Sequence, residues 1–176
     1  MKRIIMIIFI IFIASQSYSK QIKKEYYKNN KIFSEEEYKN NQKNGLSIFY
    51  YPDGKIFLKA EYKNNKLDGT VEKYYDTGKL EYREKYKDNM LVYKEYFAFN
   101  DGHLYYEASY KKKGKKNGKS IIYFSDGKIR EEKTYKNDKL NGVCKTYDTD
   151  GNIESEVNYK DKVFSTREIL MSIRIP

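Results

Sequence analysis

Gly69–Leu91 reads GTVEKYYDTGKLEYREKYKDNML. Two turn signals divide it. Thr77-Gly78 stands where sister stretches carry Asp-Gly, as in Pro52-Asp53-Gly54-Lys55 and Ser125-Asp126-Gly127-Lys128, and Asp-Gly supplies the positive-φ residues of tight hairpins. The second signal is a polar link, Lys87-Asp88-Asn89 here and Lys63-Asn64-Asn65-Lys66-Leu67-Asp68 one copy earlier. Between them lie runs of strand length, such as Leu46–Tyr51, Ile56–Tyr62, Lys119–Phe124 and Ile129–Tyr135. Apolar side chains recur at every second position in Ile56, Leu58, Ala60, Tyr62 and in Leu104, Tyr106, Ala108, Tyr110. A helix would need a period of 3.6 and would not tolerate a bend every few residues.

The stretch is one copy of many. Gly54, Gly78, Gly102, Gly127 and Gly151 are spaced 24, 24, 25 and 24 residues apart. The columns Gly45, Gly69, Tyr93, Gly118, Gly142 and Tyr38, Tyr62, Tyr86, Tyr110, Tyr135, Tyr159 keep the same spacing. The extra residue falls in the link Lys111–Asn117, at a turn, where insertions are tolerated. Units start at 45, 69, 93, 118 and 142, behind a partial unit over 26–44. The expected fold is all-β: an elongated antiparallel meander of about twelve strands, with equivalent tyrosines on one face. The repeat domain spans 20–164, and 165–176 leave the pattern. Ser165-Thr166-Arg167-Glu168 has capping-box spacing, so the tail reads as a short capping helix or a frayed end.

Residues 1–19 have another character. Lys2 and Arg3 precede the unbroken apolar run Ile4–Ile13, and Ser17-Tyr18-Ser19 has small-x-small form. This is the pattern of a secretory signal peptide cleaved near Ser19, which predicts an exported, periplasmic or extracellular protein. The net charge is +10, and losing Lys2 and Arg3 with no acid leaves +8. Such a chain suits an anionic membrane surface or polysaccharide as well as a protein partner. Its lysines far outnumber its arginines, which argues against nucleic acid. One cysteine, Cys144, excludes an internal disulfide framework.

The unit, as it stands in Gly69–Leu91, resembles the bacterial variant of the MORN repeat, the kind found in YwqK-type antitoxin components. The likeness covers residues 26 to 160 and departs most at the unit from Tyr93, where Tyr replaces the strand-opening glycine and Ala98 stands in the column Tyr50, Tyr74, Tyr123, Tyr147. The resemblance implies an antiparallel β-meander used for protein contacts, in some relatives for membrane lipids, and an antitoxin or immunity role as an alternative.

No residue pattern points to catalysis, a metal or a cofactor. His103 is the lone histidine and follows a turn glycine; it and Cys144 cannot make a zinc site. Cys144 shares a column with Ser47, Val71, Glu95 and Ser120. Glu61, Glu84, Glu107, Glu132 and Glu156 are expected on the wet faces of successive strands. The copy-specific features are the candidate partner-binding residues. They are the aromatics Tyr93, Tyr96, Phe97, Phe99, Tyr105 and Tyr106, and the basic turn Lys111, Lys112, Lys113, Lys115 and Lys116. Basic residues beside aromatics bind polyanions, glycans or protein grooves.

Overall fold

The structure, a computed structural model, describes residues 20–98, 100–111 and 114–163. The signal segment, the tail from 164, Phe99, Lys112 and Lys113 lie outside these residues. Among the described residues there are twelve strands. They are β1 Gln21–Tyr26, β2 Ile32–Lys39, β3 Gln42–Tyr50, β4 Ile56–Lys63, β5 Lys66–Tyr74, β6 Leu80–Lys87, β7 Met90–Phe97, β8 Leu104–Lys111, β9 Lys115–Tyr123, β10 Ile129–Lys136, β11 Lys139–Tyr147 and β12 Ile153–Lys162. They pair antiparallel in chain order, as the repeat predicts. Two compact units are distinguished. The first comprises the residues up to Lys79 with Tyr86–Asn89, and the second Leu80–Lys85 with the residues from Met90.

The turns differ from their expected roles. At Pro52-Asp53-Gly54 only the glycine has positive φ, at 95°. Tyr51 N–H donates to the Lys55 carbonyl at 2.8 Å and Gly54 N–H to the Tyr51 carbonyl at 2.9 Å, which is the three-residue loop with a left-handed last residue. Asp53 is there for another reason: its Oδ1 accepts the Lys55 N–H at 3.0 Å. The tighter hairpin is the polar link. Asn64 and Asn65 have φ of 50° and 64°, the two-residue turn whose twist matches the strands it joins. Asparagine tolerates that conformation better than other side chains do. It also stitches one link to the next. Asn65 N–H donates to the Lys43 carbonyl at 3.0 Å, while Lys43 N–H donates to Asn65 Oδ1 at 2.8 Å. The same reciprocal pair joins Asn89 to Leu67 and Asp138 to Lys116.

Strands entered from this turn are longer than the sequence runs suggest. They continue through the glycine of the second column by way of a bulge, where the pairing of β4 with β5 shifts between Ala60 and Tyr62. Gly69 has φ of 135° there, and its empty side lies against the Glu61 carboxylate. Glu61 Oε2 accepts the Thr70 N–H at 2.6 Å. Glu37 and Leu46 repeat the contact at 2.9 Å beside Gly45.

In each unit one face carries the tyrosine column. Tyr38 lies opposite Lys43 and Tyr62 opposite Leu67; in the second unit Tyr110 lies opposite Lys116 and Tyr135 opposite Leu140. Lysines therefore stand between rings. Lys43 Nζ is 5.3 Å from the Tyr62 ring centre, and Lys116 Nζ is 5.1 Å from that of Tyr135. In a single layer of strands, short side chains are the ones most readily covered by same-face neighbours, although Leu140 is covered too. This is why Ser47, Ala60, Val71, Ala108, Ser120 and Cys144 are the buried positions of the central row. The opposite face of each unit carries charged pairs capped by tyrosine hydroxyls, such as Lys24 with Glu35 at 2.6 Å and Tyr50 donating to Glu35 at 2.8 Å.

Strand β7 breaks the pattern. It has eight residues where β3, β5, β9 and β11 have nine. The lost residue reappears in the next loop, where Gly102 N–H reaches back four residues to the Ala98 carbonyl, at 2.9 Å, instead of three. The glycine spacing is unchanged, but β7 slides by one. Lys94 lies opposite Ala108 and Tyr96 opposite Tyr106, so Lys94, not Glu95, joins the column of Ser47, Val71, Ser120 and Cys144. By the same register, Phe97 and not Ala98 continues the column of Tyr50. A one-residue slip exchanges the two faces of a strand.

Candidate functional site

The slip builds a cluster on the tyrosine face of the second unit. Lys94 Nζ is 2.6 Å from Glu84 Oε1. It also lies 4.7 Å from the Tyr82 ring centre and 4.3 Å from that of Tyr96. Glu84 is only 7% exposed. It was expected on a wet face, but it is one residue out of step with Glu61 and occupies the column of Ala60 and Ala108. That column is covered, so Glu84 is correctly placed on the buried row and needs its cation. Burial pushes the Lys94 ammonium down, but the bond to Glu84 and the contact with Tyr96 outweigh it and hold its pKa above the ordinary lysine value.

The ring of Tyr96 is the hub. Tyr82 meets it edge-on at 6.1 Å, Tyr105 stacks on it at 6.0 Å with planes 28° apart, and Tyr106 lies 5.9 Å away. Tyr105 reaches the cluster because the pairing shifts between Tyr96 and Phe97, and a bulge re-aims the extra side chain. Lys116 Nζ lies 5.4 Å from the Tyr106 ring centre. Burial alone would raise the Tyr106 hydroxyl; the Lys116 charge and bonds from Lys116, Tyr110 and Ser120 draw it below its ordinary value. Tyr110 goes the other way, raised by burial and by its bond to Tyr106.

Tyr96, Tyr105, Tyr106 and Lys116 are thus brought together. Tyr93 and Phe97 lie on the opposite face. There the Tyr93 hydroxyl donates to Glu107, which also accepts from Tyr123 at 2.7 Å. Arg83 pairs with Glu95 at 3.1 Å and lies 5.8 Å over the Phe97 ring. Lys111 and Lys115 face each other across the turn and are exposed. Phe99, Lys112 and Lys113 fall outside the described residues. The residues that sequence reasoning missed are Tyr82, Glu84 and Lys94. For Glu84 a signal existed, since 24-residue counting sets it between Ala60 and Ala108; for Lys94 the unchanged glycine spacing concealed the register that reveals it.

Among the described residues no group of His, Cys, Asp and Glu is placed to hold a metal, and no helix is long and apolar enough to cross a membrane. A shallow depression of about 450 Å³ lies among Arg130, Glu131, Tyr147 and Glu154, residues that take no part in this cluster.

The tyrosine hydroxyls fix a pH response. Burial and Glu35 push Tyr50 up to about 12, and burial with neighbouring carboxylates raises Tyr93, Tyr123, Tyr135 and Tyr147. A raised folded pKa means that the unfolded chain releases its protons first, so stability is complete below pH 10 and falls as pH climbs toward 12. Urea unfolding midpoints are therefore expected to be level from pH 8 to 9.5 and to decline steeply from pH 10 to 12. A flat profile would remove the buried tyrosine hydroxyls from the account.

A hairpin repeated in series, each copy covering the next, defines a β-repeat protein of the MORN type. The chain belongs to the MORN repeat variant family, which matches residues 22–40, 43–64, 67–88, 116–137 and 140–161, more than half of its length. The β7–β8 hairpin falls between matched segments. Repeats of this family generally serve as protein- or membrane-binding modules. No curated protein matches the chain. Among solved structures it is similar, at 16% identity, to S. aureus TarM in complex with fondaparinux, alpha-GlcNAc-glycerol and UDP (TM-score 0.40, 76% of this chain, 23% of that one). It is also similar, at 16% identity, to accessory secretory protein 1, 2 and 3 of Streptococcus pneumoniae (TM-score 0.36, 60% and 19%). The chain spans about a quarter or less of these proteins, and at such scores they bear on neither fold nor function.

Proposed function

We propose that this chain is an exported, non-catalytic repeat scaffold that binds another protein in the cell envelope or outside the cell, with the tyrosine face of the second unit as its contact. In this reading the protein is bacterial, supported by the likeness of its repeat to the YwqK-type form. One observation carries the reading. Where the strand register slips, aromatics and lysines gather on one face around Tyr96 instead of remaining spaced along the strands. Aromatic rings with a cationic rim are the composition of protein contact surfaces. The signal-peptide pattern of residues 1–19 supports export, and N-terminal sequencing of the mature protein is expected to begin near Lys20.

The test compares faces. Immobilised protein and its Lys119→Glu variant, altered on an exposed side chain of the opposite face beside Glu132, should retain the same envelope protein. Lys116→Glu should lose that protein about tenfold or more at unchanged circular dichroism. Equal retention by all three, or none by any, would contradict the reading. Binding instead to anionic vesicles, abolished at 1 M salt, would favour electrostatic attachment through the lysines.

A further inference from the structure

The two edge strands are the least covered parts of the sheet. Every residue of β1 is exposed, and nearly every residue of β12. Ile22 and Tyr26 on β1 are 58% and 57% exposed, and Ile153 and Val157 on β12 are 52% and 42% exposed. Unpaired edges of this kind are templates for further strands.

Their side chains are two halves of contacts that the chain makes internally. Tyr50, Tyr123 and Tyr147, each near the end of an odd-numbered strand, donate to Glu35, Glu107 and Glu132 of the strand before, at 2.8, 2.7 and 3.1 Å. Tyr26 stands 24 residues before Tyr50, and among the described residues no strand precedes its own. Glu156 stands 24 residues after Glu132, and among the described residues no strand follows its own. The charge row repeats the relation. Glu132 lies opposite Lys145, and Lys59 opposite Glu72. The positions they define at the two edges are Glu156 and Lys24.

We propose that copies of this chain join head to tail, with β12 of one copy pairing antiparallel with β1 of the next in the register that β10 and β11 use. Lys24 of the incoming copy then lies opposite Glu156, its Tyr26 hydroxyl donates to the same carboxylate, and Val157 is covered. Like edges are disfavoured in their central registers: β1 against β1 centred between Lys23 and Lys24 sets these lysines against each other, and β12 against β12 centred on Ser155 sets Glu154 against Glu156. Charge complementarity favours the unlike pairing over these registers. Each copy keeps one unused edge of each kind, so the contact is heterologous and can repeat. Self-association of this kind does not depend on the partner-binding reading above.

Mixed cross-linking tests it. In a Cys144→Ser background, the Glu156→Cys variant and the Lys24→Cys variant are each treated with a short thiol cross-linker, alone and mixed. Covalent dimers are expected only in the mixture, since directly opposed side chains lie about 5 Å apart. Sedimentation of the unsubstituted protein should show mass growing with concentration in whole-chain steps. Glu156→Lys should weaken that association about tenfold, and adding Lys24→Glu should restore it. Dimers formed by either single variant alone, no cross-link in the mixture, or a monomer at every concentration would overturn the proposal. Charge reversal without effect on association would overturn the register.

Discussion

Replacing Lys94 with alanine is expected to lower the unfolding free energy by about 3 kcal/mol, among the largest effects of any single substitution in this chain. The reason lies in what remains. Glu84 sits on the covered row of the second unit with its carboxylate 2.6 Å from the lysine, and the two side chains are 10% and 17% exposed. Removing the cation leaves a desolvated anion among tyrosine rings, and it strips those rings of the cation that lies over Tyr82 and Tyr96. The pair itself contributes much less than its breakage suggests. Elsewhere the same row is filled by Ala60 opposite Ser47, and by Ala108 opposite Ser120. The double variant Glu84→Ala with Lys94→Ser should therefore recover most of the loss and lie within about 1 kcal/mol of the starting protein. Denaturant titration of the two single variants and the double variant measures the coupling. A Lys94→Ala loss below about 1 kcal/mol would mean that water reaches Glu84.

The second large effect is expected at Gly69. Alanine there should cost about 2–3 kcal/mol, against about 1 kcal/mol for alanine at Gly54. Both glycines have positive φ, 135° and 95°, so both substitutions strain the backbone. Only Gly69 is crowded as well. A methyl group there meets the Glu61 carboxylate, whereas nothing lies within 4 Å of the equivalent atom on Gly54. Glu61 would have to withdraw, leaving the Thr70 N–H without the acceptor it now has at 2.6 Å. Equal losses at the two glycines in parallel urea titrations would show that the bulge carries no special packing.

These expectations also mark what was legible in the chain. The period, the antiparallel order and the shared face of the tyrosines could be read directly, because strands alternate every two residues and turns need residues that accept positive φ. The functions of the two turns were interchanged. Asp-Gly is a familiar hairpin signal, yet the asparagine pairs form the two-residue turns, with Asn65 bonding across to Lys43. The candidate site was read in part. Spacing held Gly78 to Gly102 at 24 residues, while the structure shortens β7 by one and lengthens the following loop by one. Compensating changes cancel in a count but not in a register, so Glu95 was set in the column that Lys94 occupies; Glu84 keeps the period of Ala60 and Ala108 and was grouped with Glu61 only because both are carboxylates. The family match shows the same break, since it passes over the β7–β8 hairpin.

The chain-order ladder and its slip at β7 can be observed in solution through cross-strand nuclear Overhauser contacts. Backbone contacts should link each strand only to its predecessor and successor, with Lys94 opposite Ala108 and Tyr96 opposite Tyr106. Glu95 opposite Ala108, or contacts between strands that are not consecutive, would contradict the structure on which the candidate site rests.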